Sequence, residues 1–335
     1  MNRLAVIVLN WNGIDDTLLC FDSLLKQSIS DFKIIIIDNG SIDNSKDVLQ
    51  KLQISNSRRL TVLYNPVNKG FAGGVNTGIN WVIKNDYELV ALFNNDAVAD
   101  SNWLKSLVDE SGDETVGIVT GLLLHEDGKT IDSTGDWYTN WGLPFPRNRN
   151  EPVGSAPDKQ FVFSGSGGAS LYKTELLKDI GLFDEDFFAY YEDTDVSFRT
   201  QLAGWKVIYT PKAVAYHKQG ATSNKIPGFA VYQTFKNLPL LLIKDVPVGL
   251  YLPIAIRFYF AYWLMFINTF KHRRGWSATK GIFMSIVFTP RKLRERWHIQ
   301  RVKRVKTSYI KSILWDDLPP DQTGIRKVRK MFIGK

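Results

Sequence analysis

Short runs of apolar residues alternate with segments of helical periodicity through the first 120 residues, and this alternation restricts the fold more than any other feature. Each run is bounded by polar residues, which is typical of a strand buried on both faces. The runs cover residues 4–9, 33–37, 60–64, 89–93 and 116–120. The segments with helical spacing cover residues 15–26, 43–52, 71–84 and 101–110. Alternating strands and helices predict an α/β fold built on a doubly wound, mostly parallel sheet.

The composition narrows the class of protein further. With 44% apolar residues among 335, the chain can form a full hydrophobic core, which excludes disorder as its default state. A single cysteine, Cys20, excludes an intrachain disulfide framework, and the four histidines show no zinc-finger spacing. We therefore expect a reducing compartment. The first apolar run ends at Asn10, so we expect a first strand there and not a signal peptide.

Charge is distributed unevenly along the chain. Residues 271–335 carry 18 Lys and Arg against 4 Asp and Glu, whereas the preceding 270 residues carry 24 against 30. The stretch 246–270 has Arg257 as its only charge and is long enough to span a bilayer. A buried helix is the alternative, but Pro247 and Pro253 disfavour it. An apolar segment followed by a basic tail indicates contact between 246–335 and an anionic membrane surface, with no nucleic acid partner expected.

The direction of any membrane insertion is restricted by the basic tail. A single span would separate this tail from a cytosolic body and violate the positive-inside rule. An interfacial helix, or a re-entrant hairpin completed by the apolar run 281–288, avoids that conflict. We therefore predict a peripheral or monotopic protein at the cytoplasmic face of the cell membrane. Its catalytic domain would cover residues 1–230, and its membrane-associated helical region would cover residues 231–335.

Polar residues directly follow four of the apolar runs. They lie at 10–13, 38–41, 65–74 and 94–96. Each of these segments alone is explained by a turn, because Asn, Asp and Gly are common turn residues. Ligands bind at the carboxyl ends of strands in doubly wound sheets, so the four together predict a nucleotide pocket. The sequence has no GxxxxGK[ST] loop, and residues 165–170 fail the GxGxxG pattern at its last glycine, which disfavours kinases and NAD-binding enzymes.

Two acidic segments are candidates for chemistry. Asp96, in Asn94-Asn95-Asp96, resembles a reduced Asp-x-Asp element, and a carboxylate with diphosphate oxygens suits Mg²⁺ or Mn²⁺. In the second segment, a helix beginning at Glu192 would place Glu192 and Asp195 on one face with Arg199. Those two carboxylates are equally explained as a stabilised first turn with an Asp195–Arg199 pair. Asp193 projects from another side and is the better candidate for a base.

Six segments in order resemble the family 2 glycosyltransferases, especially their rhamnosyltransferase-like branch. They are residues 5–13, 37–41, 68–76, 94–96, 191–199 and the stretch from Gly204-Trp205 to Tyr216-His217-Lys218, spread over residues 3–225. The resemblance implies a GT-A fold, a nucleotide-sugar donor, a divalent metal and inversion at the anomeric carbon. Asn94 departs from the pattern, since stronger metal binders have a carboxylate there.

The resemblance also implies roles for individual residues. The implied donor-binding residues are Asn10, Asp38, Asn68, Gly70, Asn76 and Asn95. Asp96 would coordinate the metal together with His217, and Asp193 would accept the proton of the acceptor hydroxyl. The irregular region 125–160 is expected to shape the acceptor side, because aromatic faces suit sugar rings, although packing under a long loop is an equal alternative. The acceptor-side candidates are Glu192, Trp137, Trp141 and Gly167.

These observations favour one enzyme class over one binding function. The enzyme is an inverting glycosyltransferase that moves a sugar from a dTDP- or UDP-sugar, with dTDP-L-rhamnose suggested by the resemblance, to a glycan hydroxyl. Its acceptor would be lipid-linked, in cell-surface polysaccharide or glycoconjugate synthesis. Direct inversion needs a base but no enzyme nucleophile, which agrees with the absence of a Ser/His/Asp arrangement. The alternative is a non-catalytic nucleotide- or nucleic-acid-binding protein that uses the basic tail.

Overall fold

The computed structural model describes residues 3–218, 220 and 226–333. The predicted catalytic domain, 1–230, and membrane region, 231–335, also include residues that lie outside this described part. The strands are β1 (Leu4–Asn10), β2 (Lys33–Asn39), β3 (Leu60–Asn65), β4 (Leu89–Asn94), β5 (Ala97–Ala99), β6 (Val116–His125), β7 (Ile131–Ser133), β8 (Asp136–Tyr138), β9 (Pro144–Pro146), β10 (Gln160–Val162), β11 (Ala169–Lys173) and β12 (Lys206–His217). The helices are α1 (Ile14–Leu25), α2 (Ser45–Ser55), α3 (Gly70–Lys84), α4 (Trp103–Glu110), α5 (Thr174–Ile180), α6 (Glu192–Leu202), α7 (Phe229–Asp245), α8 (Val248–Lys271), α9 (Gly275–Val302), α10 (Thr307–Ser312) and α11 (Thr323–Ile333).

One large sheet runs in the order β10-β12-β6-β11-β4-β1-β2-β3, with β5 paired to β12 and β7 paired to β6. β1 pairs in parallel with both β2 and β4, and β2 with β3. β11 lies antiparallel between β4 and β6, so β6 and its parallel neighbour β12 run in the direction of β1. The predicted α/β fold with a mostly parallel sheet is confirmed. Its antiparallel strands are β11, inside the sheet, and β10, β5 and β7, which pair with β12 or β6.

Alternate side chains of each central strand enter different cores, as the strand period requires. In β1, Val6 and Val8 pack with α1, α2 and α4 on one face. Ala5 and Ile7 pack with α3 on the other face. Because both faces are covered by helices, the strands read as continuous apolar runs, which is how the sequence first indicated them.

The C-terminal helices pack against the body through a third core. Phe187 and Phe198 of the body share this core with Leu238 and Leu241 of α7 and with Phe258 of α8. Within the described residues, α8 is the one helix long and apolar enough to cross a membrane, and 28% of its most apolar window is buried.

The structure corrects one expectation about the apolar segment 246–270. Pro247 precedes α8, and the helix continues through Pro253. Packing of the next turns, at Ile254, Ala255 and Phe258, offsets the backbone hydrogen bond that a proline removes. The prolines are therefore compatible with a regular helix in this segment.

Candidate active site

A cleft of about 1000 Å³ opens at the carboxyl edge of the parallel strands. It is lined by the ends of β1, β2 and β4, the loop 166–168, residues 188–194 and the β8–β9 hairpin. The structure brings eight of the sequence-predicted residues together on its wall. They are Asn68, Gly70, Asn95, Asp96, Gly167, Glu192, Asp193 and His217. The strand ends thus meet at a single cavity, as a doubly wound sheet requires.

Asn10 and Asp38 lie behind the wall of the cleft. Both are buried, and the amide of Asn10 donates to Asp38 Oδ1 at 3.0 Å. Asn10 Oδ1 accepts from Thr17 Oγ1 at 2.8 Å, and Thr17 in turn accepts from Asn95 at 3.1 Å. This network connects β1, β2 and the end of β4 directly under the cleft. Contact of Asn10 and Asp38 with a nucleoside stays a prediction.

The structure corrects the expectation that Asn76 lines the pocket. Its buried amide donates to Phe183 O at 2.8 Å and to Glu185 Oε1 at 3.1 Å, and its oxygen accepts from Phe183 N at 3.1 Å. A buried amide must satisfy both its donor and its acceptor, and here the segment at 183–185 satisfies both. Asn76 therefore anchors that segment to α3 and does not face the cleft.

Asn39, at the end of β2, was not singled out from the sequence. Its amide donates to Asn68 Oδ1 and to Gly70 O, both at 3.0 Å. Gly70 has φ +71°, and a Cβ there would lie 2.3 Å from Phe188 O. Asn39 and Gly70 together hold the start of α3 against the loop 188–191. The position of Asn39 at the end of a strand could have indicated this role, but Asp38 was the residue predicted from that segment.

Asp96 and His217 face each other at the ends of adjoining elements. His217 Nε2 lies 3.1 Å from Asp96 Oδ1, and His217 Nδ1 lies 2.7 Å from Asp132 Oδ2. Burial alone would lower the pKa of His217, but hydrogen bonds to Asp132 and Asp96 outweigh it and raise the pKa to about 9. Asp132 is buried and also pairs with Arg149 at 2.7 Å. Its role was missed because it lies in the irregular region, 85 residues from His217.

This arrangement fits a divalent cation. A carboxylate on one ring nitrogen orients a histidine so that its other nitrogen can ligate a metal, and Asp132 holds Nδ1 in this way. The atoms that would hold the ion are His217 Nε2 and the carboxylate of Asp96, which lie 3.1 Å apart. One imidazole and one carboxylate suit Mn²⁺ well, and Mg²⁺ through its oxygen ligands.

A second cluster of carboxylates is occupied by lysine side chains and is therefore not a good candidate for a metal site. Asp184, Asp186 and Glu295 lie close enough to hold an ion. However, the ammonium of Lys292 lies among them, 2.9 Å from Asp186 and 2.8 Å from Glu295, and also bonds Asp184. Lys244 adds a second cation, 2.6 Å from Asp184. The carboxylates are therefore neutralised by lysines in an ion-pair network between the body and the C-terminal helices.

Glu192 and Asp193 begin α6 at the cleft. The loop before them has positive φ at Phe188, Tyr190 and Tyr191 (63°, 71° and 72°), a strained conformation for these residues. Asp193 Oδ2 accepts from Gly167 N at 3.0 Å, and Oδ1 from Thr194 N at 2.7 Å.

Burial raises the pKa of both carboxyl groups. For Asp193, the N–H donors of Gly167 and Thr194 oppose this rise. For Glu192, burial and the neighbouring Asp193 raise the pKa to about 8, and Oε2 has no hydrogen-bond partner among the described residues. At neutral pH the arrangement favours a protonated Glu192, and the two N–H donors stabilise the charged form of the neighbouring Asp193.

Asp195 pairs with Arg199, which is the structural alternative that the sequence analysis gave for it. It is buried, and its carboxylate lies 2.6 Å from both Arg199 and Lys244. The guanidinium of Arg199 also donates to the carbonyls of Ile180 and Leu182 at 2.8 Å. Asp195 therefore joins α6 to α7 and has no place on the cleft wall.

The two tryptophans lie outside the cleft, and their contact with an acceptor stays a prediction. Trp141 is buried among residues of α7 and α8, and Trp137 lines a separate cavity beside Trp315. The tryptophans pack because the β8–β9 hairpin has one face against the C-terminal region. The aromatic residues that do line the cleft are Trp11, Phe71, Phe145, Phe188, Tyr190, Tyr191 and Phe229.

The irregular region contributes a second carboxyl group, besides Asp132, that was not expected from the sequence. Asp136, on β8, lines the cleft. Burial and the charge of Asp193 raise the pKa of Asp136 to about 7. Nothing in the local pattern distinguished Asp136 from the other Asp and Gly residues of a turn-rich segment, so only its folded position identifies it.

Comparisons with known proteins agree with this architecture. Solved structures with a similar fold include the mannosyltransferase PcManGT from Pyrobaculum calidifontis in complex with GDP-Man and Mn²⁺, with a TM-score of 0.56 and 14% identity over 100% of this chain and 88% of that one. TarS 1–349 of Staphylococcus aureus has a TM-score of 0.53 and 15% identity, with 92% of each chain covered. These similarities confirm the GT-A fold.

Sequence comparisons give the family. The poly-β-1,6-N-acetyl-D-glucosamine synthase of Staphylococcus epidermidis is 26% identical over 204 residues, which cover 61% of this chain and 46% of that protein. The chain thus spans about half the length of the curated relatives it matches. The family model named Glycosyl transferase family 2 matches residues 5–181. Since that match covers more than half of the sequence and includes the parallel strands whose ends form the cleft, the chain belongs to the family 2 glycosyltransferases.

Proposed function

We propose that this protein is an inverting glycosyltransferase that moves a sugar from a nucleotide-sugar donor to a hydroxyl group of a glycan. The observation that carries the proposal is a single cleft containing both Asp193, held by two backbone N–H groups, and the Asp96–His217 pair. The names of similar proteins support a nucleotide-sugar donor and a polysaccharide product. A dTDP-sugar, with L-rhamnose as the first sugar to test, rests on the resemblance of the motifs alone.

In the proposed reaction, Asp193 accepts the proton of the acceptor hydroxyl as that oxygen attacks the anomeric carbon. The bond from the anomeric carbon to the diphosphate breaks in the same step, which inverts the configuration. Glu192, protonated at neutral pH, can donate a hydrogen bond to a sugar hydroxyl beside this base. Asp96 and His217 would hold Mn²⁺ or Mg²⁺, which neutralises charge on the leaving diphosphate when bound.

We further propose that α8 and α9 hold the protein on the cytoplasmic face of an anionic membrane, without spanning it. Six exposed apolar residues of α8 recur every three or four positions: Leu252, Ile256, Phe260, Trp263, Ile267 and Phe270. The exposed apolar residues of α9 include Trp276, Phe283, Ile286, Val287, Leu293 and Trp297. Exposed Lys271, Arg273, Arg274 and Lys280 lie where the two helices connect. An apolar stripe flanked by basic residues is typical of interfacial helices.

Met265 of α8 also lines the cleft, so the membrane-binding helix adjoins the site. This proximity favours a lipid-linked acceptor.

The experiment that tests the transferase is release of nucleoside diphosphate from dTDP-, UDP- and GDP-sugars, with and without Mn²⁺, with membrane lipid extract as acceptor. We expect one donor class to turn over, and the Asp96→Ala variant to lose this turnover. Donor binding is measured in the same samples. A protein that neither binds nor turns over any donor contradicts the proposal.

Membrane association is tested by flotation with phosphatidylcholine vesicles that contain or lack phosphatidylglycerol. We expect flotation with the anionic vesicles, and its loss when Trp263→Glu and Phe283→Glu are combined. Phe161→Ala, which also alters an exposed aromatic residue, is the matched control. Binding to DNA without flotation would favour the nucleic-acid-binding alternative.

A further inference from the structure

A second cavity of about 500 Å³ lies beside the cleft. Its wall includes Trp137 of β8, Phe161 of β10 and the segment 312–317. Two aromatic side chains are open to solvent there, because Phe161 is 55% exposed and Trp315 is 40% exposed. A volume of this size lies within the range of pockets that bind small organic ligands, about 300–1000 Å³.

The second cavity and the cleft are built from the same two pieces of chain. Along β8, Asp136 faces the cleft and Trp137 faces the second cavity, as alternation in a strand requires. The segment that lines the second cavity at 312–317 continues to Pro319, Asp321 and Gln322, which line the cleft. A molecule longer than one sugar unit could therefore occupy both cavities.

Trp315 lines the second cavity, and hydrogen bonds hold its backbone in place. Its N–H donates to Tyr138 O at 2.9 Å, and its carbonyl accepts from Asn140 N at 2.8 Å. The centroid of its ring lies 5.8 Å from that of Trp137 and 5.9 Å from that of Phe145, a residue that lines the cleft. An exposed aromatic ring on an immobilised backbone loses little conformational entropy when a ligand stacks on it.

Polar groups accompany the aromatic rings. Lys206 Nζ donates to Tyr309 OH at 2.9 Å, and Tyr309 OH donates to Gln201 Oε1 at 2.7 Å. All three residues line the cavity, as does Asp316. An ammonium group has three N–H donors, so Lys206 can bond a ligand while it bonds Tyr309. Aromatic faces beside hydrogen-bonding groups match a sugar ring, which presents C–H groups on one face and hydroxyls at its edge.

We propose that this second cavity is a saccharide subsite, which binds the part of the acceptor glycan that extends beyond the reacting unit. The inference rests on the proposed glycosyl transfer, since it assigns the cavity to the same acceptor. The ligand class is a neutral oligosaccharide, and Trp315 and Phe161 are the residues on which its rings stack. Affinity for saccharides then depends on chain length, because a single unit cannot fill both cavities.

The test compares binding of one-unit and five-unit saccharides of glucose, mannose, galactose and N-acetylglucosamine to the full chain, by calorimetry. We expect at least one pentasaccharide to bind at least tenfold more tightly than its monosaccharide. Trp315→Ala and Phe161→Ala should each weaken pentasaccharide binding about 3- to 10-fold and leave monosaccharide binding unchanged, in line with the energy of one aromatic contact. Tyr64→Ala is the matched control and should change neither, because Tyr64 on β3 is 42% exposed and lines neither cavity.

Two results would overturn the subsite. One is equal affinity for all five-unit and one-unit saccharides, and the other is a length preference that both variants retain. Phe161→Ala keeps the test decisive if Trp315→Ala disturbs the β8–β9 hairpin, since Phe161 lies on a different strand. Donor binding and turnover are measured separately: length-dependent binding at Trp315 without binding or turnover of any donor would contradict the transferase and not the subsite.

Discussion

Glu192 and Asp193 are neighbours in the chain but have different hydrogen-bond partners. Asp193 accepts from two backbone N–H groups, which stabilise its charged form, whereas Glu192 Oε2 has no partner within the described residues. Buried carboxyl groups without donors remain protonated to higher pH. The different surroundings therefore support different roles, with Asp193 as base and Glu192 as a neutral hydrogen-bond donor.

These roles lead to a matched pair of variants. Asp193→Asn should lower kcat about 10²- to 10⁴-fold, the usual contribution of a general base, while donor affinity stays within a few-fold. Glu192→Gln should retain kcat within a few-fold at pH 7, because an amide resembles the protonated carboxyl. The measurement is steady-state release of nucleoside diphosphate under saturating donor. Equal loss in both variants would contradict the assignment of the base to Asp193.

The pH profile gives an independent check of the same assignment. A base must be ionised to accept a proton, and burial raises the pKa of Asp193. The rate should therefore fall as pH decreases through this raised pKa, at a higher pH than an ordinary aspartate would give. We expect kcat/KM of the wild type to show this acidic limb, and Asp193→Asn to lack it. A rate that is constant down to the pKa of an ordinary aspartate would be the opposite result.

Asp132 is predicted to position His217 toward the metal. Asp132→Asn should reduce Mn²⁺ affinity about 10- to 100-fold, as removal of such an orienting carboxylate usually does. Asp127→Asn is the control, because Asp127 is an exposed carboxylate of the same region that accepts from Lys129 N at 2.8 Å. Calorimetric titration with MnCl₂ measures both. Unchanged Mn²⁺ affinity in Asp132→Asn would show that Asp132 has no part in metal binding.

Among the elements, α7 connects the C-terminal helices to the active-site loop. The amide nitrogen of Asn237 lies 2.8–2.9 Å from three carbonyl oxygens of this loop, those of Phe187, Ala189 and Tyr190, which share its two N–H groups. Lys244, on the same helix, lies between Asp184 and Asp195 at 2.6 Å from each. These contacts hold the strained loop that places Glu192 and Asp193, so α7 is a structural part of the site.

Removing the amide of Asn237 should affect both stability and turnover. Asn237→Leu leaves buried carbonyls without a donor, so the free energy of unfolding should fall by about 2–4 kcal/mol. We expect kcat to fall more than donor affinity, because the loop carries the base and not the donor pocket. Denaturant unfolding and steady-state kinetics measure the two effects.

Gln233→Leu is the matched control for Asn237→Leu. Gln233 is buried on the same helix, and its Oε1 has no hydrogen-bond partner in the described ranges. Its replacement should therefore cost less stability than that of Asn237. If the two variants have equal stability and equal kcat, the proposed positioning role of Asn237 is wrong.

For the whole molecule, the shared third core predicts that residues 1–230 do not fold alone. Such a fragment would expose Phe187 and Phe198, which pack on α7 in the full chain. We expect it to lack a cooperative unfolding transition, whereas a chain ending at residue 322, before α11, should retain one. Circular dichroism during urea titration distinguishes them. Cooperative unfolding of the 1–230 fragment would instead support an independent domain with that boundary.

Local patterns in the sequence were sufficient to predict the alternation of strands and helices, the edge of the sheet where the cleft lies and eight of the residues on the cleft wall. These follow from local periodicity and from one topological rule, that parallel strands end at the same edge. Val6, Ile7 and Val8 already indicate a strand between two helical layers. Asp96 and Asp193 were found because each belongs to a short, recognisable motif.

The remaining features could be identified in the folded protein alone, because they join residues that are far apart in the chain. His217 meets Asp132 across 85 positions, and Asn237 reaches the loop at 187–190 across about 50. Such contacts depend on how helices and strands pack, which local periodicity does not encode. The same packing places Trp137 and Trp141 outside the cleft and directs the amide of Asn76 toward Phe183. The sequence thus shows which chemical groups are present, whereas long-range packing sets the direction in which each side chain points.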